Sequence, residues 1–273
     1  MLSAVGVEHA IEHDGFEYRL MVPASVAARA ESELEGYRVE APLKTRWVEI
    51  VPRDSGTAAV AGYLAVIWSL PMLQSHAALG LAWDAIGAMD AERVRAGEWW
   101  RAITALTLHA DLGHIVGNSV FGAIFGLLAG RYLGSGLAWL VIVVCASSAN
   151  IVDALLQAED FRAIGASTAV FAALGVVAAV VWRRGYYRGG GWRRNLGPLF
   201  AALSLLAFTG MGGEGEHVDV MGHVVGFALG LVGGIAVATI DLDRLGRTGQ
   251  ALAGAGALAL VAGAWTLAVA VGR

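Results

Sequence analysis

The chain is short of what soluble proteins carry in quantity. Charged residues make up only 15% of its 273 positions, against about 25% in an ordinary soluble domain. A single cysteine, Cys145, excludes an intrachain disulfide framework and says nothing about redox compartment. A formal net charge of −4 gives no sign of nucleic-acid binding. No H-E-x-x-H metal motif occurs. The first 56 residues are polar and charged, so no N-terminal signal peptide is expected. What is abundant points elsewhere. Apolar residues reach 57% and glycine 37 positions, roughly twice glycine's usual ~7%, and the mean hydropathy is +0.62. This is the composition of a polytopic membrane protein. In lipid a chain must satisfy its own backbone, so apolar runs of this kind are expected to be helices.

Seven runs of at least 19 residues lack Asp, Glu, Lys and Arg. They are Thr57–Trp83, Leu112–Gly130, Tyr132–Val152, Ala163–Trp182, Asn195–Gly213, Val220–Ile240 and Thr248–Gly272. Each is long enough to cross ~30 Å of hydrocarbon. The glycines at 134 and 136 predict a tight turn between the second and third spans. Orientation follows from basic residues in short loops. Arg183–Arg194 holds five Arg and no acid, which marks it as cytoplasmic. The 214–219 loop holds Glu214, Glu216 and Asp219 without a basic residue, as an external loop should. The expected location is a bacterial cell membrane, crossed several times, with the N-terminus cytoplasmic and the C-terminus external.

Residues 1–56 read as a small cytoplasmic α/β segment. Phe16, Tyr18, Leu20 and Val22 alternate with Glu17, Arg19 and Met21, a strand pattern. Ala24–Tyr37 predicts a helix with Val26, Ala30, Leu34 and Tyr37 on one face, and Trp47–Val51 a second strand. The expected divisions are therefore 1–56, a membrane core over 57–247, and a further C-terminal span over 248–273.

Polar residues inside spans are costly and tend to mark function. Span two opens with His114-Ile-Val-Gly-Asn118, span four with Gly165-Ala-Ser167-Thr168, and span six with Asp219-Val-Met-Gly222-His223-Val-Val-Gly226. The topology puts all three openings at the outer face, so His114, Asn118, Ser167 and His223 are expected at similar depth. A serine becomes a nucleophile when a histidine takes its proton. Ser167 at a helix start would have backbone N–H groups and the helix dipole available to an oxyanion. Gly222, Gly226 and Gly230 predict a small-residue face that lets span six approach a neighbour closely. His114 and Asn118, four apart, share a helix face. Plainer roles exist for each residue. Ser167 could bond back to its own helix, Asn118 could link two helices, and Asp219 could be an N-cap or a third member orienting the imidazole. His109, His114, His217 and His223 fit no compact metal-ligand spacing.

Taken together these residues resemble the rhomboid family of intramembrane serine proteases, over roughly Trp99 to Ile240. Trp100-Arg101 resembles the family's Trp-Arg pair in the first external loop. His109 through His114-x-x-x-Asn118 resembles its H-x-x-x-H-x-x-x-N stretch, with one extra residue between the histidines. Gly165-Ala166-Ser167 resembles the start of G-x-S-G, and Gly222-His223-Val-Val-Gly226 its (A/G)-H-x-x-G. The resemblance implies a six-helix core with an added seventh helix. It implies a dyad of Ser167 and His223, an oxyanion hole of His114, Asn118 and the Ser167 N–H, and no metal or cofactor. Its implied partners are the lipid bilayer and transmembrane segments of other proteins, which are the substrates. Two positions depart from the family pattern. Thr168 stands where the signature has Gly, and Phe171 where many relatives have a Tyr under the catalytic His. The expected activity is that of a serine endopeptidase. The rival expectations are an inactive rhomboid-like protein that binds transmembrane clients, and a transporter, which the lack of central charges and broken helices disfavours.

Overall fold

The computed structural model describes residues 2–13, 18–40, 52–76, 78–184, 196, 199–200, 202–205 and 219–272. They fall into two compact units, one within Met1–Trp47 and the other from Val48 onward.

In the first unit a hairpin of β1 (Ala10–His13) and β2 (Tyr18–Met21) pairs antiparallel, with Ala10 opposite Met21 and Ile11 opposite Leu20. A 3-10 turn over Ala24–Val26 leads into helix α1 (Ala27–Glu40). Leu2, Val7 and Ala30 form the core, with Val26 and Leu34 packed against it. Of the apolar face expected of the helix, Val26, Ala30 and Leu34 pack on this core, whereas Tyr37 is exposed. The strand expected over 16–22 appears as β2. Its partner β1 carries no readable alternation, because its one large apolar residue, Ile11, is exposed. The strand expected at Trp47–Val51 lies outside the described residues.

The second unit is the polytopic helical protein that composition predicts. Among the described residues six helices are long and apolar enough to cross a membrane. They are α2 (Thr57–Ser75), α6 (Leu112–Leu133), α7 (Ser135–Leu156), α8 (Ser167–Arg184), α9 (Val220–Val237) and α10 (Leu242–Gly272). Of the span expected over Asn195–Gly213 only residues 196, 199–200 and 202–205 are described, and the rest lies outside the described residues. The first span is shorter than its charge-free run. Its helix stops at Ser75, where Gln74, Ser75 and His76 end the apolar stretch, and Trp83 belongs to a separate short helix, α3 (Trp83–Gly87). Between α6 and α7 the chain turns on Gly134, whose φ of 85° is open to glycine and strained for other residues. Gln250 of α10 plugs this turn. Its Nε2 donates to the Leu133 carbonyl at 2.8 Å and its Oε1 accepts from the Leu137 N–H at 3.0 Å.

The centre of the bundle is α8, buried continuously from Thr168 to Val176. A helix that is apolar all round belongs inside. It packs most extensively on α9, and the seam is backbone against backbone. A Cβ at Gly226 would stand 2.8 Å from the Thr168 carbonyl oxygen, and one at Gly234 would stand 2.7 Å from that of Val176. At Gly230 a Cβ would collide with the Ala172 carbonyl, and at Gly175 with the Phe227 carbonyl. The stripe expected at 222, 226 and 230 is therefore shifted by one turn, to 226, 230 and 234. Gly222 instead makes room for the Asp219 carboxylate. That carboxylate caps α9 by accepting the Gly222 N–H at 2.8 Å.

The long connection from α2 to α6 is a structured unit. It comprises α3, strand β3 (Met89–Asp90), α4 (Ala91–Arg95) and α5 (Arg101–Thr104). Strand β3 pairs antiparallel with β4 (Arg162–Ala163), just ahead of α8. Arg101 is 2% exposed. It donates to the carbonyls of Ala85 and Ala88 at 3.0 Å each and pairs with Glu98 at 2.6 Å. A buried charge whose Nε and Nη1 donors are directed at loop acceptors is a framework element.

Candidate active site

Three helices begin at one end of the bundle, and each brings a polar group. Helix α6 is capped by Asp111, whose carboxylate accepts the His114 N–H at 2.8 Å. Helix α8 opens at Ser167 itself. Gly165, at φ 138°, turns the chain into it. Helix α9 is capped by Asp219, so His223 sits one turn inside its start.

The side chains converge through contacts between these starts. The His114 ring lies over Gly165. A Cβ there would come within 2.6 Å of His114 Nε2 and 3.5 Å of the Ser167 hydroxyl, so the two groups flank one glycine. Phe171 lies one turn after Ser167 on the same face of α8. Its ring packs on the His223 ring, with centroids 4.5 Å apart and planes tilted by 38°. His223 is 5% exposed. Phe171 supplies this ring contact without a hydroxyl.

Asn118 lies on the same helix as His114 and is buried. Its backbone carbonyl accepts from the Tyr63 hydroxyl at 2.9 Å. Its side-chain nitrogen Nδ2 has no hydrogen-bond partner among the described residues. An unpartnered buried amide donor costs stability. An asparagine serving only to link helices would have used it.

Thr168 is buried, and its methyl faces Gly226, where a Cβ would lie 3.1 Å from it. The side chain that departs from the signature thus meets the residue of α9 that leaves it most room.

His109 packs edge-on against His114, centroids 5.2 Å apart. Burial, with the neighbouring His114 adding to it, pushes His109 down to about 4. The imidazole is therefore neutral at ordinary pH. Beside it lies a cavity of about 350 Å³, lined by Trp68, Pro71 and Gln74 of α2 and by His109, Leu112 and Ile115. Trp100 and Arg101 sit in the α2–α6 connection, where Arg101 holds the loop as described above. His217 and the glycine-rich stretch Gly210–Glu216 lie outside the described residues.

Sequence reasoning missed a polar pair on α7. Asn150 donates to the Ala102 carbonyl at 2.9 Å. It borders, with Gly165, Ser167, Thr168 and Asp219, a pocket of about 10 Å³, room for about one water. Asp153 is fully buried, and its carboxyl group neighbours that of Asp219. The charge-free window for span three closed at Val152, which placed Asp153 in a loop. The available signal was the i, i+3 spacing of two polar residues at the depth of Ser167.

Comparison with known proteins shows the family of the chain. The family model described as the Rhomboid domain matches residues 96–240, just over half of the chain. The chain is 29% identical over 183 residues to YdcA of Bacillus subtilis, a protein named as a candidate rhomboid protease, covering 67% of this chain and 86% of that one. It is 31% identical over 152 residues to Rhomboid-like protease 2 of Toxoplasma gondii, covering 55% of this chain and 51% of that one. It is 27% identical over 169 residues to Rhomboid protease GluP of Bacillus subtilis, covering 62% of this chain. The chain spans about half the length of the second relative and 31% of the third.

Proposed function

The chain belongs to the rhomboid family of membrane proteins, and on that premise we propose that it is an intramembrane serine endopeptidase with Ser167 as nucleophile and His223 as general base. Family membership supports intramembrane proteolysis in general. The observation that carries the finer reading is the packing of the His223 ring on Phe171, one turn beyond Ser167 at the start of α8. That contact brings a histidine of α9 to the face of α8 that bears the serine.

The chemistry follows from the groups at hand. The Ser167 hydroxyl attacks the scissile carbonyl carbon while a ring nitrogen of His223 takes its proton. The tetrahedral oxyanion accepts hydrogen bonds from Asn118 Nδ2, the Ser167 N–H and the His114 ring. The intermediate collapses, the C–N bond breaks, and His223 returns its proton to the leaving amine. Water, deprotonated in turn by His223, attacks the acyl-enzyme and releases the second product with Ser167 restored. Asp219 is assigned as the cap of α9 rather than a third catalytic member, because its carboxylate is engaged by the Gly222 N–H.

The substrates are transmembrane segments of other proteins, cut near the external boundary. The N-terminus is cytoplasmic, as the five-Arg loop implies. The membrane core runs over 57–247, with a further span after it. Thr168, which departs from the family signature, would favour the inactive, client-binding alternative if it crowded the site, and the space that Gly226 leaves for that side chain supports the active reading. Ser167→Ala and His223→Ala should each abolish cleavage of a model transmembrane substrate, and the double variant should be no worse, because the two act as a unit. Retained cleavage by Ser167→Ala would remove the assignment.

A further inference from the structure

The whole of α10 lies beyond the residues that match the family model, and none of its side chains has a part in the chemistry above. Its Trp265 reaches into the α2–α6 connection. The indole N–H donates to the Thr107 hydroxyl oxygen at 3.0 Å. The ring packs on Trp83 with centroids 5.3 Å apart. A Cβ at Gly87 would collide with the same ring, so the loop backbone lies directly on it.

Thr107 is buried, and its own hydroxyl proton goes to the Thr104 carbonyl at 2.7 Å. Its oxygen is thereby set to accept from an indole, which can only donate. Two residues earlier, the Ala105 carbonyl accepts the Gly165 N–H at 2.9 Å, and Gly165 is the turn that launches Ser167. Two residues later, His109 meets the edge of His114. One short segment, Ala105–His109, thus carries both the turn before the nucleophile and the ring beside it. Its one side-chain hydrogen bond to α10 is made by Trp265.

We propose that Trp265 is a positioning residue of the protease: through Thr107 it fixes the Ala105–His109 segment, and with it the Gly165 turn and the His114 ring. The inference rests on the reading of Ser167 as nucleophile. It gives the seventh helix a part in assembling the active site. Gln250, near the opposite end of α10, anchors the helix to the α6–α7 turn independently, so deleting the indole N–H should leave α10 in place while releasing Thr107.

Trp265→Phe keeps an aromatic ring on α10 while removing the indole N–H together with part of the fused ring system. It should lower kcat about fivefold, the rate equivalent of one neutral hydrogen bond, with KM unchanged. Thr107→Val should lower kcat equally, Thr107→Ser should retain wild-type rates, and the Trp265→Phe, Thr107→Val double variant should be no slower than either single one. Independently of catalysis, hydrogen–deuterium exchange at the Gly165 amide should be faster in Trp265→Phe than in wild type, with exchange in α4 unchanged. Unchanged kcat and unchanged Gly165 exchange would overturn the proposal. So would additive effects of the two substitutions, or a fall in melting temperature alone. If the wild type cleaves nothing, the function fails, and the exchange measurement alone decides whether Trp265 holds the segment.

Discussion

The two sides of the proposed site are built in opposite ways. On the α8–α9 side, Ser167 and His223 stand on helices whose backbones touch at Gly226, Gly230 and Gly234, where only the Thr168 methyl and the Ala179 Cβ reach into the seam. On the α6 side, His109, Leu112 and Ile115 line a cavity, the Asn118 Nδ2 donor is unpartnered among the described residues, and Asp111 and Leu112 are exposed. The first side tolerates no change of volume, because a packed backbone seam cannot relax around an added methyl. The second side holds polar groups ready for a charge that exists only during reaction. In the proposed mechanism a proton passes between Ser167 and His223 across the tight side, and the oxyanion donors His114 and Asn118 belong to the open one.

The sharpest break of this contrast is Gly230→Leu. Its side chain would be driven into the Ala172 carbonyl, and overpacking of this kind costs ~3 kcal/mol or more. The expected outcome is loss of folded protein in detergent, read as loss of a monodisperse peak in size-exclusion chromatography. A folded, active Gly230→Leu would show that the seam is not tight.

Asn118→Ala tests the other side. It should lower kcat by roughly 10²–10³, the usual cost of one oxyanion donor. The melting temperature should hold or rise slightly, since the variant removes a buried donor without a described partner. Equal losses of activity and stability would return Asn118 to a structural role.

His109 gives a smaller effect with a definite sign. The unfolded chain binds a proton at the ordinary histidine value of ~6.5, the folded chain only at about 4. The unfolded state therefore holds more protons between these values, and stability falls as pH is lowered through that window. At pH 5 this contribution amounts to ~2 kcal/mol relative to neutral pH. Melting curves at pH 7 and pH 5 should show a smaller drop for His109→Phe than for wild type. Equal drops would mean that His109 is not held neutral by its surroundings.

The smallest effect is expected from Thr168→Gly, which removes a side chain packed against Gly226. A small cavity there should cost ~1 kcal/mol without raising the cleavage rate. A faster variant of equal stability would show that Thr168 restrains the enzyme instead of fitting it.

How far these features could be read in the sequence depends on their physics. Hydropathy marks six of the described spans because lipid demands long apolar helices, and the motif spacings pick out His114, Asn118, Ser167 and His223. Hydropathy overran the first span, since a charge-free run does not end where a helix ends, and Gln74 to His76 are polar without being charged. It also closed the third span before Asp153, because a buried carboxyl group looks like a loop to any charge filter. The shift of the glycine stripe was illegible for a related reason. Gly222 and Gly226 have the same neighbours in spacing, and only the capping carboxylate of Asp219 separates their roles. The Trp265–Thr107 contact joins residues 158 positions apart, and no local pattern announces it.

The central claim is that Ser167 is a nucleophile activated by His223. The most direct measurement is covalent labelling of the purified full-length protein in detergent by a fluorophosphonate, with the modified residue located by mass spectrometry. The account predicts one label per chain, on Ser167, absent in Ser167→Ala and strongly slowed in His223→Ala. Labelling that persists in Ser167→Ala, or a wild-type chain that takes up no label while folded, would contradict it.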